Sequence, residues 1–137
     1  MDKHLVAEQV GTPLIMSAIQ KGHLEIVKAL LDAENVIDSY LYLPDLIHIA
    51  TKKGHVEIVK ELLIRGADQN SRRHRHIFTP LHIAVRTGNL EMVELLLNKG
   101  ANPNASDFHG YTPLNHIGFS KSLKIAEALL AAVLILL

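Results

Sequence analysis

One stretch decides the fold of this chain: TPLHIAVRTGNLEMVELLLNKGANPN, from Thr79 to Asn104. Thr79 is a good N-cap, because its hydroxyl can accept a hydrogen bond from an unpaired backbone N–H of the first helical turn. Pro80 suits the first helical position, where its missing N–H costs nothing. Gly88 is placed to end this helix in the left-handed conformation, and a second apolar-patterned helix follows until Gly100. The stretch therefore predicts two short helices joined by a tight turn.

The second half of this pattern recurs along the chain. Near copies are GHLEIVKALL (Gly22–Leu31), GHVEIVKELL (Gly54–Leu63) and GNLEMVELLL (Gly88–Leu97), and KSLKIAEALL (Lys121–Leu130) is a more divergent fourth. Their first residues are 32, 34 and 33 positions apart. Helices of this length are not stable alone, so the copies must stack on one another to bury their leucines. The repeat predicts a solenoid of four units rather than a globule.

The segment Thr79–Leu114 resembles the ankyrin repeat in its TPLH start, an alanine two residues later, a helix-ending glycine and the ELLLNKGANPN run. The resemblance extends from about Gly11 to Leu130. It implies an all-α repeat solenoid, in which helix–turn–helix units stack and short β-hairpin fingers project. It also implies a protein that binds other macromolecules rather than an enzyme. We expect a single domain over residues 1–137, with repeats at about 8–39, 40–73, 74–106 and 107–137.

The copies depart from the pattern at a few positions. The second begins with Asp45 in place of the threonine. The fourth has Ile117 where the small alanine belongs, Lys121 where the helix-ending glycine belongs, and Val133 in place of the stop glycine. We expect the fourth copy to pack least regularly. The finger SRRHRHIF, residues 71–78, is the longest and lacks the glycine that the next finger has, so we expect it to be irregular.

Composition narrows the classes of function. The chain of 137 residues has 14 Lys+Arg and 14 Asp+Glu, so no global field favours nucleic acid or an anionic membrane. It has no cysteine, which excludes disulfides and thiolate zinc sites. There is no glycine-rich phosphate loop, nucleophile elbow or HExxH motif, so we expect no catalytic residues and no cofactor. No secretory signal is apparent, and an intracellular protein is expected: cytoplasmic, or in the host cytosol for a microbial effector.

The ankyrin resemblance implies that partners meet the finger tips and the outer ends of the first helices. These positions collect positive charge and most of the aromatic residues of a neutral chain. Arginine and tyrosine are enriched at interface hot spots, and arginine pairs with carboxylates and phosphates. We therefore expect an acidic or phosphorylated protein surface as the partner of an adaptor, inhibitor or effector. The simpler alternative is that fingers are exposed and exposed residues are often charged. The candidate partner-binding residues are Tyr40, Tyr42, Lys52, Lys53, Arg72, Arg73, Arg75, His76, Phe78, Arg86, Phe108, His109, Tyr111 and Phe119.

The basic finger also allows a second class of function. The RRHRH run lies close in sequence to Phe78, and cations mixed with stacking rings can bind single-stranded nucleic acid. His74, His76 and His109 could hold a metal ion on adjacent fingers, although no fourth ligand is evident. Four other histidines stand at copied positions and are interpreted as structural: His23, His48, His55 and His82. The resemblance further suggests that Asn70 and Asn104 are similar to sites of asparaginyl hydroxylation.

The tail ALLAAVLILL, residues 128–137, is the longest apolar run. Its 10 residues are fewer than the roughly 20 that a membrane-spanning helix needs, so no membrane is expected as a partner. Solenoid ends normally carry a polar cap, because the last unit has no neighbour. Three interpretations remain open: a fragment of a longer array, self-association of two copies, or an unusual cap.

Overall fold

The computed structural model describes residues 14–33, 45–70 and 78–135. Helices occur in pairs, as the repeat predicts, and within these residues no strand is present. The elements are α1 (Leu14–Lys21), α2 (Leu24–Asp32), α3 (Asp45–Lys53), α4 (Val56–Ile64), α5 (Pro80–Thr87), α6 (Leu90–Asn98), a 3-10 turn (Pro113–His116), α7 (Ile117–Ser120) and α8 (Leu123–Ile135). The predicted all-α helix-pair repeat is confirmed. Across the same residues, no helix is both long enough and apolar enough to cross a membrane.

The chain divides into two compact units, and the first comprises Met1–Ala67. Here α1 packs against α2 and α3, and α2 packs against α4, so two successive helix pairs stack as expected. The ring Nε2 of His55 lies 3.3 Å from the carbonyl oxygen of Gln20, which joins the second pair to the first. This contact confirms the structural interpretation of His55. The fully buried core side chains of the unit include Ile15, Ile19, Val27, Leu31, Ala50, Val59 and Leu62.

The second unit comprises Asp68–Leu137. Helix α5 packs against α6, the 3-10 turn and α7, and α6 packs against α8. The buried faces of these helices carry the apolar residues that the repeat pattern assigns to the core. The fully buried apolar side chains include Leu81, Ala84, Val85, Met92, Val93, Leu96, Ile125 and Leu129.

Both ends of α5 follow the sequence prediction. The backbone N–H of His82 donates to the Thr79 hydroxyl at 3.4 Å, and Pro80 occupies the first helical position. The backbone N–H of Thr79 donates in return to Nδ1 of His82 at 3.2 Å. Nε2 of His82 lies 2.9 Å from the carbonyl oxygen of Tyr111, which ties this copy to the next one. Gly88 ends the helix with φ of 73°, a conformation that favours glycine.

The last copy is the least regular, as its departures from the pattern suggest. Its first helix is divided into the 3-10 turn and the four-residue α7. Ile117 is half-buried at the position where the third copy has the fully buried Ala84. Isoleucine is larger than alanine and therefore leaves less room for close helix packing at this position. Helix α8 continues through Val133, because no glycine stops it there.

The finger between α6 and the 3-10 turn is a closed turn rather than a β-hairpin ladder. The Asp107 carboxylate oxygen Oδ1 accepts hydrogen bonds from the backbone N–H groups of His109, at 2.8 Å, and Tyr111, at 2.9 Å. The backbone N–H of Asp107 donates to the carbonyl oxygen of Tyr111 at 2.8 Å, and Gly110 has φ of 82°. The aspartate thus satisfies donors that a second strand would otherwise pair. The fingers within 34–44 and 71–77 lie outside the described residues.

Candidate protein-interaction surface

The structure describes eight of the candidate partner-binding residues. Lys52 and Lys53 lie in the first unit, at the end of α3, where both are exposed. Six more lie in the second unit: Phe78, Arg86, Phe108, His109, Tyr111 and Phe119. The remaining candidates are outside the described residues: Tyr40, Tyr42, Arg72, Arg73, Arg75 and His76.

The six candidates of the second unit form one connected group of side chains. We call this group the aromatic surface; it consists of Phe78, Arg86, Phe108, His109, Tyr111 and Phe119. Ring centroids lie 5.6 Å apart for Phe108 and His109 and 6.1 Å apart for His109 and Tyr111. The ring of His116 continues the series, at 6.1 Å from Tyr111, 5.9 Å from Phe119 and 5.7 Å from Phe78. The sequence therefore identified side chains that meet in space, although they come from α5, the residues just before it, α7 and the finger that Asp107 closes.

Three rings of the aromatic surface are exposed to solvent to an unusual extent. Phe108 is 71% exposed, Phe119 65% and Tyr111 52%. Phe108 and Tyr111 belong to the turn that Asp107 closes, so their backbone is held in place by hydrogen bonds. Neighbouring exposed apolar side chains of this kind are characteristic of binding sites.

Arg86 contacts two phenylalanine rings of the aromatic surface, those of Phe119 and Phe78. Its guanidinium carbon is 4.0 Å from the centroid of the Phe119 ring and 5.5 Å from that of Phe78. Such cation–π contacts contribute on the order of 0.5–1 kcal/mol at exposed sites. The NH1 group of Arg86 donates to Nδ1 of His116 at 3.2 Å. No carboxylate of the described residues forms an ion pair with Arg86.

His116 is buried beneath the aromatic surface and pairs with Asp107. Nε2 of His116 lies 2.7 Å from Oδ2 of Asp107, and both side chains are almost inaccessible to water. Because arginine can only donate, Nδ1 of His116 must be the acceptor, and the ring proton is therefore on Nε2. The resulting series runs from Arg86 through His116 to Asp107, with each group donating to the next.

Two opposing effects set the pKa of Asp107. Burial acts to raise it, while hydrogen bonds from the Tyr111 N–H, His116 and the His109 N–H act to lower it. The hydrogen bonds prevail, and the pKa of Asp107 lies below its ordinary value of 3.8. The carboxylate is therefore ionised at neutral pH although it is buried.

Neither Asp107 nor His116 was predicted from the sequence as part of the site. Alignment of the copies places Asn115, not His116, at the histidine position of TPLH, so His116 had no role assigned by the repeat. Because His116 stands at no position where the other copies have histidine, its presence could have indicated a role of its own. Asp107 gave no comparable signal, because acidic residues are common in turns.

His82, Asp107 and His116 are spaced like the ligands of a metal site, but their ligand atoms already form hydrogen bonds. Ligand atoms of His82, Asp107 and His116 lie within 4.8 Å of one another. Both ring nitrogens of His82 and both of His116 have partners at hydrogen-bond distance. The positive charge of Arg86, 3.2 Å from His116, also opposes a cation. We therefore interpret the cluster as a hydrogen-bond network. Of the histidines proposed earlier for metal binding, His109 belongs to the aromatic surface, and His74 and His76 lie outside the described residues.

Comparison with protein families accounts for the repeat. The sequence matches the family model described as ankyrin repeats (3 copies) over residues 2–73 and 47–134, which together span residues 2–134. A search of curated proteins gives no match. The match agrees with the stacked helix pairs, the glycine-ended first helices and the tying histidine His82. The chain belongs to the ankyrin repeat family.

Proposed function

We propose that this protein is a non-catalytic interaction module that binds a partner protein through the aromatic surface. Ankyrin repeats are generally non-catalytic protein–protein interaction modules, which supports the class of function. The observation that carries the proposal is that three exposed rings belong to one connected set of side chains that includes the half-buried Arg86. Burial of apolar area contributes about 25 cal/mol per Å², so rings of this size are strong sources of binding energy.

The alternative is that these side chains are merely solvated. That interpretation explains an isolated exposed phenylalanine, but it does not explain why Phe108, Tyr111 and Phe119 occur in one group. A turn closed by Asp107 also reduces the conformational entropy that a partner must remove on binding. Preorganised aromatic side chains beside an arginine have the composition of an interface hot spot.

The test compares two sets of exposed apolar residues. The full chain, a variant with Phe108→Ser, Tyr111→Ser and Phe119→Ser, and a control with Ile26→Ser and Ile64→Ser are used as bait for mass-spectrometric identification of bound proteins. Ile26 and Ile64 are 52% and 73% exposed but belong to the first unit. We expect the aromatic variant to lose specific partners that the control retains, with little change in melting temperature for either. Equal capture by all three proteins contradicts the proposal.

The full chain also tests the nucleic-acid alternative for finger 71–78. Fluorescence anisotropy with a labelled 20-nucleotide single strand is measured across a salt series. Nucleic-acid binding releases counterions, so affinity falls steeply with salt. Under our proposal we expect negligible binding even at low salt.

A further inference from the structure

We propose that Arg86 is the receptor for a carboxylate in an acidic peptide segment of the partner, with apolar partner side chains resting on the neighbouring rings. This inference rests on the proposed function and specifies the chemistry that the aromatic surface recognises. In this inference, His116 and Asp107 lie beneath the aromatic surface and position Arg86.

Within the described residues, no carboxylate neutralises the charge of Arg86. Arg65, the other arginine in the described part of the chain, shows the contrast. It pairs with Asp32 at 2.6 Å and with Glu61 at 2.9 Å, so the fold itself satisfies its charge. Arg86 donates to an uncharged ring nitrogen and stacks on phenylalanine rings instead. Its charge therefore remains available to an external anion.

The remaining N–H donors of Arg86 suit a carboxylate in their geometry. A guanidinium group has five N–H donors in one plane, and the contact with His116 uses NH1. The guanidinium carbon lies over the Phe119 ring, and no hydrogen bond among the described residues uses Nε or NH2 of Arg86. A planar edge with parallel donors matches the two oxygens of a carboxylate. Because the rings already restrict Arg86, a ligand has less side-chain entropy to remove.

The groups beneath Arg86 present a hydrogen-bond acceptor to it. Asp107 accepts from Nε2–H of His116, which leaves Nδ1 as the acceptor that faces Arg86. Asp107 also accepts from the backbone N–H groups of His109 and Tyr111. Its negative charge is thus engaged by these three donors. His116 is a positioning residue: it separates the arginine from the aspartate that would otherwise neutralise it.

The surroundings favour a carboxylate next to apolar residues. Recognition of phosphorylated segments commonly uses clusters of arginines. Among the described residues, the aromatic surface contains the single guanidinium of Arg86, which lies over the exposed ring of Phe119. This combination suits a glutamate or aspartate with a leucine, isoleucine or aromatic neighbour.

A library of random dodecapeptides displayed on phage provides the probe. The library is selected on the full chain, on Arg86→Gln, and on Lys124→Gln, which removes the same charge from an exposed lysine of α8. We expect peptides selected on the full chain and on Lys124→Gln to contain an acidic residue beside an apolar one, and those selected on Arg86→Gln to lack this enrichment. One selected peptide and its copy with the acid replaced by the amide are then compared by fluorescence polarisation. We expect the acid to bind roughly 10-fold or more tightly to the full chain and about equally to Arg86→Gln.

Two substitutions of His116 test its positioning role. In His116→Gln the amide can still donate to Asp107, but it presents no acceptor at the place of Nδ1. In His116→Asn the amide oxygen can take the place of Nδ1 opposite Arg86. We expect His116→Gln to lose the preference for the acidic peptide while His116→Asn retains more of it. This ratio of affinities does not change when a substitution merely lowers the fraction of folded protein.

The outcomes separate the inference from the proposed function. Peptides without acidic enrichment, or the same enrichment on Arg86→Gln, overturn the carboxylate receptor. If those peptides still fail to bind the variant with Phe108→Ser, Tyr111→Ser and Phe119→Ser, the proposed function stands. If the full chain enriches no peptide, the inference is wrong, and the bait experiment decides the proposed function by itself.

Discussion

Lys121 ends α7 in the left-handed conformation, with φ of 53°. It is the sole non-glycine residue with positive φ among the residues described, and the corresponding positions of the other copies are Gly22, Gly54 and Gly88. A Cβ atom costs roughly 1–2 kcal/mol in this region, and Lys121 is exposed, so its side chain contributes little packing. Glycine adds unfolded-state entropy, which offsets part of the gain. We expect Lys121→Gly to raise the free energy of unfolding by about 0.5–1 kcal/mol, measured by urea denaturation.

Lys60→Gly is the matched control, because Lys60 is a lysine in the middle of α4 and its side chain is 44% exposed. Glycine in a helix interior costs about 1 kcal/mol, so this control should destabilise the protein. Opposite signs for the two substitutions identify the backbone conformation as the cause. Destabilisation by both would contradict the strain at Lys121.

Asp107 gives the protein an acid-sensitive component of stability. A carboxylate whose pKa is lower in the folded state contributes stability above its unfolded pKa, and this contribution is lost as the pH falls through the folded pKa. Asp107 has a lowered pKa, whereas Asp107→Asn cannot ionise at this position. We expect the wild-type protein to be more stable than Asp107→Asn by about 1–3 kcal/mol near pH 5. The difference should narrow as the pH falls toward about 3, measured by denaturant unfolding. A difference that stays constant or widens over this range would be contrary to the expectation.

At the scale of elements, the threonines that precede the first helix of the third copy and of the fourth copy are not equivalent. Thr79 is buried, accepts from the backbone of His82 and lies 2.8 Å from the His82 ring through its hydroxyl. Thr112 is half-buried, and its hydroxyl donates to the exposed Asn115 side chain at 3.1 Å. We expect Thr79→Ala to lower the free energy of unfolding by about 1–2 kcal/mol, and Thr112→Ala by about 0.5 kcal/mol or less. Thermal and urea unfolding of the two variants measure these losses of unfolding free energy. Equal losses would contradict the expectation, because they would mean that water does not replace the hydrogen bond of the more exposed Thr112 hydroxyl.

The elements also show what the sequence can predict. The ends of α5 and the role of His82 follow from residues close in sequence, so the TPLH pattern suffices for them. Arg86 and Phe119 were predicted as surface residues because the repeat fixes which helix positions face outward. The contact of Arg86 with His116 joins residues 30 positions apart. Its formation depends on how α5 packs against the last copy, which has no precise equivalent elsewhere in the chain. The division of the first helix of the last copy was not predicted either, and it occurs in the copy where Ile117 stands in place of a buried alanine.

At the scale of the whole molecule, the apolar face of α8 bears on the self-association that the sequence suggests. Leu123, Leu130 and Leu134 are spaced by seven and four residues, which places them along one side of the helix. Leu123 and Leu134 are 72% and 64% exposed. The chain has equal numbers of acidic and basic residues, so no net charge opposes contact between copies. We expect its mass by light scattering to rise with protein concentration.

Substitution of this face should separate self-association from partner binding. Leu130→Lys with Leu134→Lys adds charge to the α8 face without changing any residue of the aromatic surface. We expect this variant to remain monomeric over the same concentrations, while a control with Ile26→Lys and Ile64→Lys associates as the wild type does. The variant should also retain the preference for acidic peptides, because Arg86, His116 and Asp107 are unchanged. If the variant stays monomeric but loses that preference, the carboxylate receptor requires contact between two copies of the protein, and a single copy is not sufficient.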